Sequence, residues 1–151
     1  GQDSVLFTVA TNSGSKFGSL MKIASGGELS RFLLALKVCL TNDQKRVSMV
    51  FDEIDRGVGG ATADAIGRRL LKLAKKDVQV LVVTHSPQVA ALAERHFVVS
   101  KVIEHEKTLS RVNQIKGEDC VEEIARMISG DRITDEARDA SRVLISRASN
   151  V

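Results

Sequence analysis

The segment from Val47 to Val83 leaves few options for its fold. Two short runs, Val47 to Phe51 and Val78 to Val83, are almost wholly apolar, the pattern of strands buried in a parallel sheet. Between them Ile66, Leu70 and Leu73 recur at helical spacing, and the pattern closes near Lys75 and Lys76, where positive charge suits a helix C-terminus. Strand and helix go on alternating to Val99, so the expected class is α/β with a largely parallel sheet flanked by helices. Sites in open sheets of this kind collect at the C-terminal edge of the strands. The first run delivers Asp52 and Glu53 to that edge.

The flanking segments read less sharply. Val5 to Val9 alternates as a strand does, and Asn12 to Ser15 ends it in turn-forming residues. From Glu28, the residues Leu29, Leu33, Leu36 and Leu40, widened by Phe32, predict an amphipathic helix with a glycine-rich start. Ser86 is placed to cap a short helix with Pro87 at its first position, where the missing N–H is no loss. Phe97 to Val99 reads as a strand and Thr108 to Val112 as a more exposed one. Two helices finish the chain, one through Val121, Ile124 and Ile128 stopped by Gly130, and one from Thr134 towards Ser146. With 151 residues, 43% apolar and 27% charged, and no internal repeat or linker, residues 1–151 are expected to form one domain.

Composition excludes several functions. The net charge of +3 is spread along the chain and makes no case for a nucleic-acid surface. All five aromatic residues are Phe, and none interleaves with a basic run as a single-strand stacking platform requires. Cys39 and Cys120 lack the spacing of a zinc or redox motif and are expected to be reduced thiols of a cytosolic protein. His85, His96 and His105 are too scattered for a helical pair of metal ligands, so no structural metal is assigned. No apolar run has membrane-spanning length, and Gly1 to Asn12 is not a signal peptide. The absence of an initiator Met suggests a piece of a longer protein.

Four groups carry chemistry. Ser25-Gly26-Gly27-Glu28 opens a helix with small residues and free N–H groups, which suits phosphate, although such a string is also a common loop. Asp52 and Glu53 are adjacent and point in different directions, so one can hold magnesium while the other faces a nucleophilic water. Two solvated acids at a strand end are the plain alternative. Asp55 can orient its loop across a subunit boundary or simply form a turn. His85, after the next strand, can hydrogen-bond a terminal phosphate or the attacking water, or merely pack. Their shared order and their position at neighbouring strand ends join them into one set.

The strings themselves resemble a known group. Ile23 to Arg31 looks like the signature motif of ABC-type ATPases, Phe51-Asp52-Glu53-Ile54-Asp55 like a Walker B motif running into a D-loop, and Thr84-His85 like the switch-histidine segment. The longer strings Phe51 to Gly60, Thr84 to Ala90 and Glu122 to Met127 resemble the RecN family of bacterial double-strand break repair, SMC-like ATPases. That resemblance implies the C-terminal lobe of a P-loop ATPase head in the bacterial cytoplasm, associated with the nucleoid and acting on DNA through the full protein. It implies that Asp52 supports Mg2+, Glu53 polarises the attacking water and His85 contacts the γ-phosphate. Ser25, Gly26, Gly27 and Glu28 would grip ATP held by a second head, with Asp55 in the intervening loop, so that two heads close around two nucleotides.

The chain also departs from the pattern. It has no G-x-x-x-x-G-K-[ST], and Gly14-Ser15-Lys16-Phe17 lacks the spacing and the hydroxyl after Lys16. The glutamine loop and heptad-patterned arms are absent, Ala24 replaces a frequent Leu, and Arg56 stands where a small polar residue is expected. ATP and Mg2+ should therefore need an N-terminal lobe supplied from outside, and the chain alone should be inactive. The competing readings are another SMC-like or ABC-type head, including a transporter domain, and a non-enzymatic dimerisation or DNA-docking module.

Overall fold

A computed structural model describes residues 3–10, 13–20, 26–40, 47–76, 78–104 and 107–148. In chain order the elements are β1 (Thr8–Val9), β2 (Gly18–Ser19), α1 (Gly26–Leu40), β3 (Val47–Asp52), α2 (Gly60–Ala74), β4 (Val78–Val83), α3 (Pro87–Ala90), β5 (His96–Glu104), β6 (Lys107–Ile115), α4 (Glu118–Ser129) and α5 (Asp135–Ala148). The class is α/β, as the alternation implied.

The centre is the β3–α2–β4 unit. β3 and β4 pair in parallel from Val47↔Val78 to Asp52↔Val83, and α2 crosses between them. Its Ile66, Leu70 and Leu73 are buried together with Phe51, Ile54 and Leu34 of α1, the outcome expected of an apolar helical stripe laid on a sheet. Gly67 lets α2 approach α3 closely, since a Cβ there would lie 2.5 Å from Leu92 Cδ1 and 3.4 Å from Val89 Cα.

Three details differ from the sequence reading. The parallel strands are covered on one face only: Met49, Phe51, Val80 and Val82 turn to the core, whereas Val50, Leu81 and Val83 are 63%, 47% and 56% exposed. An apolar run signals that both faces want cover, but the second layer is not among the described residues. Among the described residues parallel pairing is also confined to β3–β4. β5 and β6 each run nine residues and pair with one another, antiparallel, from His96↔Ile115 to Glu104↔Lys107, because a two-residue connection can join only antiparallel neighbours. The expected strand over Val5 to Val9 contracts to Thr8–Val9, paired with Gly18–Ser19. Phe7 meets Phe32 edge-on at 5.6 Å instead.

At the C-terminal end, α4 and α5 are joined by Arg138 to Glu122 at 2.6 Å, by an ion pair of Arg142 with Glu118, and by the buried Ser141 hydroxyl donating to the Val121 carbonyl at 3.1 Å. Gly130, at φ 76°, ends α4 where a side chain would be strained. Thr134 Oγ1 accepts the Ala137 N–H at 3.3 Å and starts α5. Both cysteines are free thiols, Cys39 exposed and Cys120 buried, and burial pushes the Cys120 thiol up. Among the described residues no helix is long and apolar enough to cross a membrane.

Candidate functional site

The C-terminal edge of β3 and β4 brings the acidic and histidine motifs together. Asp52 is the last residue of β3, exposed and in register with Val83. The next N–H, that of Glu53, donates to the Val83 carbonyl at 3.1 Å, so Glu53 lies beside the residue two positions before His85. Both Glu53 and His85 are exposed. Glu53 adopts φ 46°, and no other described non-glycine residue has positive φ. That conformation costs on the order of 1–3 kcal/mol and persists only where the surroundings enforce it. Here the strand bond to Val83 and a turn closed by the Arg56 N–H on the Glu53 carbonyl at 3.0 Å enforce it. The tight reversal sends Ile54 into the core at 1% exposure and leaves the Glu53 carboxylate outside.

Asp55 does not reach outward. Its side chain is 1% exposed, and Oδ2 accepts the Thr84 hydroxyl at 2.5 Å and the Ser86 N–H at 3.1 Å. The loop after β3 is thereby pinned to the segment after β4, with His85 between the two anchoring residues. The sequence left two roles open for Asp55, orienting its loop across a subunit boundary or forming a turn; within this chain its carboxylate is hydrogen-bonded to Thr84 and Ser86. Ser86 holds the N-cap position of α3, but its hydroxyl donates to Gln88 Oε1 at 2.9 Å rather than capping. The Val89 and Ala90 N–H groups use its carbonyl.

Four residues to which the sequence reading gave no site role of their own also shape the site. Thr84 clamps Asp55 through its hydroxyl, and a hydroxyl directly after an apolar strand was the available signal. Arg56 places Nη1 3.3 Å from Glu53 Oε2, both side chains being well exposed. Met127 and Ile128, at the end of α4, wall a cavity of about 340 Å³ shared with Asp55, Val58, His85 and Pro87.

The phosphate motif is seen in part. Gly26, Gly27 and Glu28 form the first turn of the 15-residue α1, two residues earlier than the apolar stripe suggested. Ser25 lies outside the described residues. A long helix opening on two glycines fits a phosphate, and exposed carboxylates at a strand edge fit magnesium, which favours sparse oxygen ligands.

No protein-family model matches the chain. Whole-chain similarity is extensive nonetheless. The DNA repair protein RecN of Rickettsia prowazekii (strain Madrid E) is 44% identical over 145 residues, 96% of this chain. That of Bacillus subtilis (strain 168) is 41% identical over 151 residues, 100% of it. The chain is a fragment of a RecN-like protein. RecN of Deinococcus radiodurans agrees, at 44% over 146 residues and 97% of the chain. The fragment spans 26% of the length of the Rickettsia and Bacillus RecN proteins, and it corresponds to the C-terminal part of RecN. A solved structure described as "Structural biochemistry of ATP-driven dimerization and DNA stimulated activation of SMC ATPases" matches with a TM-score of 0.53 and 20% identity, covering 79% of this chain and 70% of that one. At that identity the likeness speaks to the fold alone: the RecN fragment has the fold of part of an SMC ATPase head.

Proposed function

We propose that this chain is the C-terminal lobe, over residues 1–151, of a RecN-type head that couples ATP binding and hydrolysis to bacterial double-strand break repair and recombination. The observation that carries this reading is the edge at which Glu53, held at φ 46°, lies beside Val83, two residues before His85. A carboxylate set in a strained turn and an imidazole on the adjacent segment are what a water-activating site needs. Glu53 takes the proton of the attacking water, and His85 hydrogen-bonds the terminal phosphate. Asp52 is the carboxylate that would hold Mg2+, which neutralises charge on the phosphates when bound.

The other half of the reading is in trans. Ser25, Gly26, Gly27 and Glu28, at the start of α1, grip the γ-phosphate of nucleotide carried by a second head, and Asp55 steadies the loop between the two sites through Thr84 and Ser86. The exposed apolar face of Val50, Leu81 and Val83 is the seat of the N-terminal lobe of the same protein, since a parallel sheet is stable only when both faces are covered. That lobe brings the main nucleotide cradle, so the isolated chain is inactive. The protein works in the cytoplasm, on the nucleoid.

Two measurements test this. Calorimetry of the isolated chain with ATP and magnesium should detect no tight binding; micromolar affinity, about 8 kcal/mol, would show that the cradle is not missing. In the full-length protein, Glu53→Gln should keep nucleotide and accumulate closed dimers while turnover falls about 100- to 10,000-fold. Undiminished turnover in that variant removes Glu53 as the base.

A further inference from the structure

We propose that an exposed basic stripe on α2, formed by Arg69, Lys72 and Lys76, binds the phosphate backbone of duplex DNA, a proposal that rests on the reading of the chain as part of a head acting on DNA. The net charge of +3 is small and by itself makes no case for such a partner. Its placement does. Residues 60–77 carry Arg68, Arg69, Lys72, Lys75 and Lys76 against Asp64 and Asp77, so this helix and its end account for the whole excess, and the rest of the chain is neutral in sum.

Arg69, Lys72 and Lys76 stand at i, i+3 and i+7, which lines them up along one stripe of a helix. α2 ends at Ala74, but its C-cap Lys75 keeps helical angles, φ −69° and ψ −6°, and the Lys76 N–H still reaches the Leu73 carbonyl at 3.1 Å. The stripe therefore runs on to Lys76. All three residues are exposed, while Ile66, Leu70 and Leu73 on the packed face of the same helix are buried. Arg68 is matched by Asp64 at 2.8 Å, whereas Arg69, Lys72 and Lys76 have no acidic partner among the described residues. On α4 and α5, by contrast, Arg126, Arg138 and Arg142 are each held by a carboxylate. A surface that serves solubility interleaves the two signs; the α2 stripe leaves one sign uncompensated. The helix dipole explains cations in the last turn only, and Arg69 lies before it.

The row from Arg69 to Lys76 is about 10 Å long at helical rise, a length over which one strand of a duplex presents about three phosphates. Cations in such a row bind by displacing the counterions condensed on the phosphates, without reading a base. None of the five Phe residues lies within residues 60–77, so the surface has no platform on which unpaired bases could stack. It fits the backbone of a duplex and no particular sequence. Lys76 lies two residues before Val78, which opens β4 opposite Val47, whereas Glu53 follows the Asp52↔Val83 pair at the other end of the strands, about 16 Å away at strand rise. DNA on α2 thus leaves the edge of Glu53 and His85 open to nucleotide.

The experiment uses the full-length protein with this chain's numbering and follows its binding to a short fluorescein-labelled duplex of random sequence by anisotropy, across about 50 to 200 mM salt. The triple variant Arg69→Gln, Lys72→Gln, Lys76→Gln should bind about 10- to 100-fold more weakly at the low-salt end, and the slope of log K against log salt should flatten by about one unit per cation removed from each head. ATPase activity without DNA should be unchanged, since the three residues lie away from the catalytic edge. Arg69→Lys with Lys72→Arg and Lys76→Arg keeps the charge and should bind like the parent; a loss there assigns the effect to shape and overturns the proposal. Should the triple Gln variant fail to fold, each single Gln variant should still lose about one unit of slope. A triple variant with the parent's affinity and slope overturns the stripe and leaves the head reading intact, and if it also melts lower, the stripe packs on an acidic protein surface instead. A parent that does not bind the duplex overturns both.

Discussion

Thr84 donates its hydroxyl to Asp55 Oδ2 at 2.5 Å, joining two loops 29 residues apart in the chain. Replacing Thr84 by Val keeps the shape and removes the donor, so a buried carboxylate loses one of its hydrogen bonds. The expected cost is about 1–3 kcal/mol, read as a lower urea midpoint at unchanged slope. Thr84→Ser should retain most of the stability. Equal midpoints for Thr84→Val and the parent would mean that the clamp contributes nothing.

Gly27 lies in the first turn of α1, where the proposed function places the phosphate of the opposite head. In the full-length protein, Gly27→Trp should block ATP-driven dimerisation while each head still binds its own nucleotide, since bulk at the helix start excludes the incoming phosphate. Affinity and dimerisation are measured side by side. Loss of ATP binding by the monomer contradicts the trans assignment.

Gly67 separates α2 from α3. Gly67→Ala gains about 1 kcal/mol of helix propensity, and the atom it crowds most, Leu92 Cδ1, is the end of a flexible side chain. The two effects should leave thermal stability nearly unchanged. Gly67→Val adds branching next to the Val89 backbone and should cost about 1–3 kcal/mol. A melting temperature for Gly67→Val equal to the parent's would show that the helices have room to part.

Glu136, in the first turn of α5, is held below the usual carboxylate range by a hydrogen bond from its own backbone N–H and then by the Thr134 hydroxyl. A carboxyl with a depressed value in the fold stabilises it above its ordinary value, and that contribution fades as pH falls through the folded value. Glu136→Gln should therefore lower the urea midpoint at neutral pH and match the parent in acid. A gap that persists in acid assigns the effect to something other than ionisation.

The β3–α2–β4 unit and its acidic edge were legible because they depend on local periodicity. The spacing of Ile66, Leu70 and Leu73 and the apolar runs at Val47 and Val78 dictate a helix and two strands wherever they fold. Asp52 and Glu53 must then emerge at the strand end, and His85 beyond the next strand. By contrast, no local pattern distinguishes an Asp55 that reaches across a boundary from one that turns inward. The difference arises when β3 and β4 pair with Asp52 opposite Val83, which sets Thr84 and Ser86 within reach.

The same division holds for the chain as a whole. The sequence by itself determined the α/β class, the order of the motifs and the placing of Asp52, Glu53 and His85 just beyond their strands, since each follows from short-range spacing. Only the tertiary structure decided that Glu53 sits at positive φ beside Val83, that Asp55 clamps Thr84 and Ser86, and that β5 pairs with β6 rather than extending the parallel sheet. Those outcomes depend on strand register and on which apolar face finds cover, quantities set by contacts between residues distant in the chain.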